Sequence, residues 1–228
     1  MKYAIACKCN AFWLTLKEFA PNVLKNASHI YMTPEELEGS INSDIDVIFF
    51  PHWSWLVPDN ILSKFVCVCF HSTPLPYGRG GSPVQNMVLN GNESTEVVAL
   101  KMIKQIDAGP IYMRNAVSLI GGGEEVFRRI YKTSISMMSE LVKELPTPQE
   151  QNSEDVFEFK RRQPSDSEML MTESIEHIFD KIRILDIDGY PPAFLEIGDY
   201  RLTFTHPVMK MSGEIDAHIK ISRRKKFE

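Results

Sequence analysis

The chain has 228 residues, 43% apolar and 24% charged, which suits one ordinary domain or one domain with a small appendage and excludes wholesale disorder and fibrous repeats. Twenty-five Lys and Arg stand against 30 Asp and Glu, so the formal charge of −5 leaves no chain-wide basic footprint for nucleic acid. Lys160-Arg161-Arg162 and Arg223-Arg224-Lys225-Lys226 are local basic clusters, read as solvated charge runs.

In chain order, Tyr3 to Cys7 reads as a strand, because its apolar run is too short for a secretory leader. No stretch approaches the roughly 18 uninterrupted apolar residues of a membrane span, and the expectation is a cytoplasmic protein without membrane contact. A helix is predicted around Trp13 to Phe19 and a strand at Ile30 to Met32. Thr33 then caps a short helix with Pro34 in its first turn. Asp46 to Phe50 and Phe65 to Phe70 are continuous apolar runs, as in strands buried on both faces of a parallel sheet, and a helix started by Pro58 lies between them. The alternation of strands with short helices predicts an α/β fold: a Rossmann-like, mostly parallel sheet over about 145 residues.

From His71 to Pro83 the chain is a Pro/Gly-rich loop, placed where open α/β sheets bind ligands, beyond the carboxyl end of a buried strand. A helix at Val84 to Leu89, a strand at Glu96 to Leu100, and the turn Asp107-Ala-Gly-Pro110 leading into Ile111 follow. Gly121-Gly-Gly123 precedes a long amphipathic helix whose apolar face runs from Phe127 to Leu145 and which Pro146 ends. The predicted organisation is a catalytic domain over 1–147, a linker or wrapping arm over 148–171 with one aromatic island at Val156 to Phe159, and a small C-terminal α+β module over 172–228. That module carries a helix with Ile175, Ile178, Phe179, Ile182 and Leu185 on one face. Strands follow at Phe194 to Ile197, Tyr200 to Thr205 and Ile215 to Ile221.

The four cysteines form two Cys-x-Cys pairs, Cys7/Cys9 and Cys67/Cys69, inside apolar runs. A single intervening residue points both thiols of a pair to one face of a strand, so small buried hydrophobes are expected rather than metal ligands. His29, His177, His206 and His218 are read as structural or solvent-facing, and no metal site is expected. Gly78-Arg-Gly-Gly81 lacks the dinucleotide and P-loop patterns. It reads equally as a phosphate cradle with Arg79 and as a tight loop that positions His71. His71 at a strand end and Asp107 on a later turn are the candidates for proton exchange, an imidazole beside a carboxylate.

His71-Ser-Thr-Pro-Leu-Pro-Tyr-Gly-Arg-Gly-Gly-Ser-Pro-Val-Gln85 with Asp107-Ala-Gly-Pro-Ile111 resembles the folate-dependent formyltransferases. These act on glycinamide ribonucleotide, methionyl-tRNA or amino-sugar nucleotides. Ile182-Arg183 and Gly189-Tyr-Pro-Pro-Ala-Phe194 look like pieces of that family's C-terminal module. The resemblance implies the formyltransferase fold and transfer of a formyl group from 10-formyltetrahydrofolate to a primary amine. His71 would face the oxyanion or shuttle the proton, and Asp107 would orient it. The resemblance also places the pterin edge against backbone of Ser54, Trp55 and Leu56 and of Lys104, Gln105 and Ile106, with Tyr77 and Arg79 toward the acceptor. Where the family carries Asn, this chain has Cys69, a poor hydrogen-bond donor. Ser72, Thr73, Gln85, Asn86 or a backbone N–H is expected to substitute; a slow enzyme and a binding protein without turnover are the other readings. The acceptor expected from the family's sugar branch is an amino-deoxy sugar on a nucleotide, with nucleic acid disfavoured by the acidic chain; methionyl-tRNA and small amines are the alternatives, and a homodimer stays open.

Overall fold

The computed structural model describes residues 1–224, so Lys225 and Lys226 of the second basic cluster lie outside the described residues. The elements in order are β1 (Tyr3–Cys7), α1 (Asn10–Phe19), α2 (Pro21–Asn26), β2 (His29–Tyr31), α3 (Pro34–Glu38), β3 (Val47–His52), α4 (Asp59–Lys64), β4 (Val66–His71), β5 (Tyr77–Gly80) and α5 (Pro83–Leu89). After these come β6 (Ser94–Lys101), β7 (Ile111–Ser118), α6 (Gly123–Leu141), β8 (Phe157–Phe159), α7 (Ile175–Leu185), β9 (Phe194–Ile197), β10 (Tyr200–Met209) and β11 (Ile215–Arg223). No helix among the described residues is long and apolar enough to cross a membrane.

Six strands form the central sheet in the order β2-β1-β3-β4-β6-β7. The first four pair in parallel, while β6 and β7 join antiparallel, so the sheet is mixed with a parallel majority. Its continuous apolar runs follow from cover on both faces. Tyr3, Ile5, Phe49, Val68 and Phe70 point toward α1, α5 and α6, where Phe12, Leu16, Val88 and Ile130 complete one core. Ala4, Ala6, Ile48, Phe50 and Cys67 point the other way, onto Leu37, Ile61 and Phe65. Thr33 caps α3 as its sequence requires, its hydroxyl accepting from Glu36 N–H at 3.3 Å.

Three differences from the sequence reading have local causes. Strand β3 runs through Pro51, which is tolerated because the β1–β3 register shifts between Ile5 and Cys7. Strand β10 passes Pro207 in the same way, with a register shift between Thr205 and Val208 and His206 in the left-handed region at φ 52°. Helix α6 stops at Leu141, short of Pro146, and unwinds through a tighter turn in which Lys143 N–H donates to Glu140 O at 3.0 Å. The shortening frees residues 142–148 to carry the chain back to the sheet, where Gln149 bridges Ile111.

The segment after α6 runs along the body as an arm and is β-paired with it at Gln149 and at Phe157–Phe159. Beyond the Gln149 bridge, Phe157–Phe159 forms β8, which pairs in parallel with β5 inside the loop that follows His71. The C-terminal sheet, in the order β11-β10-β9, packs on α7. Ile182, Ile184, Leu185 and Ala193 enter the same core as α5 and α6, so the module shares buried surface with the body. Tyr190 O–H donates to Ser82 Oγ at 3.2 Å across that junction.

Candidate functional site

His71 is the last residue of β4, where the apolar run of the sheet gives way to a loop. Its side chain is 8% exposed, and its Nε2 lies 2.8 Å from Gly78 O. A carbonyl only accepts, so Nε2 carries the proton and Nδ1 is left to face Asp107. Nδ1 and Asp107 Oδ2 are 3.5 Å apart, with the Asp107 side chain 14% exposed. The same Oδ2 accepts from Gly80 N–H at 2.9 Å, so β5 holds both members: Gly78 through its carbonyl and Gly80 through its amide. In this geometry Gly78 O orients the imidazole, and Asp107 faces the nitrogen that is free to take a proton.

The glycines of β5 are there for close approach. A Cβ on Gly78 would meet Phe159 and Thr73 side chains at 2.8 Å, and one on Gly80 would meet Phe159 O at 2.5 Å. Of the two sequence readings of Gly78-Arg-Gly-Gly81, the one supported is the tight loop that positions His71. Arg79 is 7% exposed, and its Nε and Nη2 donate to Gln151 Oε1 at 3.2 and 2.7 Å, which turns the guanidinium inward rather than toward a substrate phosphate. Tyr77 stacks on Phe157 at 5.2 Å between ring centroids and meets Phe159 edge-on at 5.6 Å. Sequence reasoning missed β8 and Gln151, and the aromatic island Val156 to Phe159 was the one signal available.

The residues expected around the pterin lie on two loops. The first follows β3, where Trp55 is 40% and Leu56 78% exposed; the second follows β6, where Ile103 and Ile106 are 41% and 56% exposed. Lys104 Nζ and Asp59 Oδ2, 3.3 Å apart, link the second loop to the start of α4 directly after the first. Among the described residues, the N–H groups of Ser54, Trp55, Leu56, Lys104, Gln105 and Ile106 make no hydrogen bond, and the buried Trp53 Nε1 has no partner. Unengaged backbone donors beside exposed apolar side chains suit a flat heterocycle with a polar edge, so the residues present fit a folate.

Cys69 sits on β4 opposite Phe50 and Leu100, and Asp107 is near enough to act on it. Burial, then the charge of Asp107, pushes its thiol pKa well above the usual value, which makes it a poor nucleophile. Burial likewise raises Cys7 and Cys67 to about 12 from 9.0. These folded thiols keep protons that the unfolded chain releases, so stability is present in full below pH 9 and is lost as pH rises toward 12. The expected result is a thermal midpoint that falls across that window, with a shallower fall in Cys67→Ala; parallel pH profiles for the two proteins would contradict it.

Two of the polar side chains expected to replace the family's Asn are already engaged. Thr73 Oγ1 donates to Gly78 O at 3.1 Å, and Asn86 Nδ2 donates to Gly81 O and Lys160 O at 3.0 and 3.3 Å. Ser72 and Gln85, both buried, are left as side-chain donors. Should Ser72, Gln85 or a backbone N–H serve as that donor, Cys69→Asn is expected to leave kcat within about threefold of wild type, whereas a rise of about a hundredfold would locate a missing donor at position 69.

The other histidines have structural neighbours. His29 stacks on Tyr31 at 6.0 Å, His177 Nε2 lies 3.5 Å from Glu173, and His206 lies 3.6 Å from Asp186 and 5.0 Å from the ring of His218. In the first basic cluster Lys160 and Arg161 are exposed and Arg162 N–H donates to Ser82 Oγ at 3.2 Å.

A Rossmann-like sheet with a strand-end His facing an Asp, and an antiparallel C-terminal module, defines a formyltransferase fold. The family described as methionyl-tRNA formyltransferase, C-terminal domain, matches residues 164–222. The solved structure of a methionyl-tRNA formyltransferase from Clostridium thermocellum is 37% identical and superposes with a TM-score of 0.92 over 98% of this chain and 100% of its own. The methionyl-tRNA formyltransferase of Campylobacter curvus is 28% identical over 191 residues, 80% of this chain and 62% of that one. An N-formyltransferase from Helicobacter canadensis, solved with folinic acid and dTDP-3-aminofucose, shares the fold at 15% identity and a TM-score of 0.62, covering 89% of this chain and 95% of its own. The chain belongs to the folate-dependent formyltransferase family. It spans about three fifths of the length of the curated relatives it matches, 62% and 58% for the first two.

Proposed function

We propose that this chain transfers a formyl group from 10-formyltetrahydrofolate to the amino group of methionyl-tRNA. The observation that carries the reaction is the His71–Asp107 pair, with one nitrogen of the imidazole anchored and the other facing a carboxylate at 3.5 Å. Ser54 to Leu56 and Lys104 to Ile106 would hold the donor, which supplies an activated formyl carbon when bound. The acceptor amine forms a C–N bond at that carbon, and the bond to the folate nitrogen breaks. Nδ1 of His71, with Asp107 beside it, takes the proton that the amine loses and returns it to the departing nitrogen, so the enzyme ends unchanged. A donor N–H from Ser72, Gln85 or the backbone would stabilise the developing alkoxide.

For the acceptor, likeness to methionyl-tRNA formyltransferases replaces the nucleotide-sugar expectation. It rests on 37% identity across nearly the whole chain and on the match of the C-terminal module, whereas the sugar N-formyltransferase resembles this chain in fold alone. The acidic charge that disfavoured nucleic acid is a whole-chain sum. It says little about the exposed basic residues of the arm and the tail. The test is a formyl-transfer assay with 10-formyltetrahydrofolate against charged methionyl-tRNA and, separately, amino-sugar nucleotides. N-formylmethionyl-tRNA is the expected product, read as N-formylmethionine after alkaline deacylation of the tRNA. Turnover of an amino-sugar nucleotide alone would overturn the acceptor, and donor binding without turnover of either would overturn the reaction.

A further inference from the structure

The geometry points to Gln151 as a positioning residue for the His71–Asp107 pair, an assignment that rests on the formyl-transfer reading. Gln151 stands on the arm after α6, two residues beyond the point where Gln149 exchanges backbone hydrogen bonds of 2.7 and 2.8 Å with Ile111. Its amide is fully used. Nε2 donates to Asp107 O and to Gly109 O, both at 2.8 Å, while Oε1 accepts from Nε and Nη2 of Arg79. The orientation is therefore fixed, since the flipped amide would set its NH2 against a guanidinium and its oxygen against two carbonyls.

What it fixes is the backbone of the catalytic turn. Asp107 holds φ at 52°, the left-handed region where a residue with a side chain is costly and needs support. Two donors from one rigid amide pin the carbonyls on either side of Ala108 and so set the direction in which the Asp107 carboxylate leaves the chain. The Arg79 end ties the same amide to β5, which carries Gly78 O against His71 and Gly80 N–H against Asp107. One side chain thus sets the spacing between the Asp107 turn and β5, and Gln151 makes its hydrogen bonds to Arg79 and to the carbonyls of Asp107 and Gly109. It acts through the turn and through Arg79.

Gln151→Glu separates positioning from packing, because the carboxylate keeps the volume and the link to Arg79 but loses both donors to the turn. The expected result is a fall in kcat of roughly ten- to a hundredfold, the cost of a misplaced catalytic group, with KM for donor and acceptor within about threefold of wild type. Assays are run at a temperature where circular dichroism reports the variant folded, and Gln151→Ala is measured beside it in case the half-buried carboxylate prevents folding. A second readout needs no turnover: the 15N signals of the His71 ring in the ligand-free protein, assigned by their loss in His71→Ala, are expected to move in Gln151→Glu and Gln151→Ala alike. Unmoved His71 signals overturn the assignment whether or not the chain transfers formyl groups. An unchanged kcat, or a loss confined to KM, also overturns it. Moved signals in a protein that formylates neither acceptor leave the positioning role standing and count against the formyl-transfer reading alone.

Discussion

His71→Ala is expected to lower kcat for formyl transfer by roughly 10²- to 10⁴-fold, the range for loss of a general acid–base group, with a folded protein remaining. The fold survives because Gly78 O keeps a second donor, Thr73 Oγ1 at 3.1 Å, and is not orphaned when the imidazole goes. The stability cost is then held to about 1–3 kcal/mol for one hydrogen bond and a small void. Asp107→Asn should fall in the same direction by less, since the amide oxygen can keep accepting from Gly80 N–H while the carboxylate charge beside Nδ1 is lost. Pre-steady-state transfer with both substrates saturating, together with thermal midpoints, checks the pair. Wild-type rates in His71→Ala would remove the imidazole from the reaction.

Gly109→Ala is expected to be the most damaging small substitution in the molecule. A Cβ at this position would lie 1.8 Å from Lys101 O, a main-chain atom with no freedom to step aside. Lys101 N–H donates to Pro110 O at 2.8 Å and the next residue, Met102, donates to Cys67 O at 2.8 Å, so relief would have to unzip the end of β6. Overpacking against backbone of this kind costs about 3 kcal/mol or more, or a drop of roughly 6–12 °C in the thermal midpoint for a chain of this size. Activity should be lost as well, since the turn that carries Asp107 must move. A midpoint within about 2 °C of wild type would mean that the turn does not pack on Lys101 as described. The glycine of the Asp-x-Gly signature is therefore explained by contact with the strand that precedes the turn.

The two-sided strands were legible because burial on both faces forces unbroken apolar runs, as in Val47 to Phe50 and Val66 to Phe70. His71 and Asp107 were legible as types and by resemblance, and their tautomeric arrangement was not, since the deciding atom is Gly78 O, a main-chain group without a sequence signature. The β5–β8 pairing was missed for a related reason. Tyr77-Gly-Arg-Gly80 and Phe157-Glu-Phe159 are short, lack a complete alternating pattern and lie far apart in the chain. Gln151 was equally invisible, because a glutamine in a polar arm looks the same whether it faces water or closes a network. The expectation against nucleic acid leaned on net charge, which sums over the surface and carries no information about where cations gather.

The pairing of β5 with β8 also orders events in time. Every segment of the central sheet is present once Ser118 has been made, yet the loop that holds His71 and Asp107 in register waits for Gln151 and Phe159. Contacts of that sequence separation close late, because the entropy of the intervening loop is spent before any bond repays it. In a nascent chain the six strands of the sheet therefore exist before the residues that hold His71 and Asp107 in register have been made.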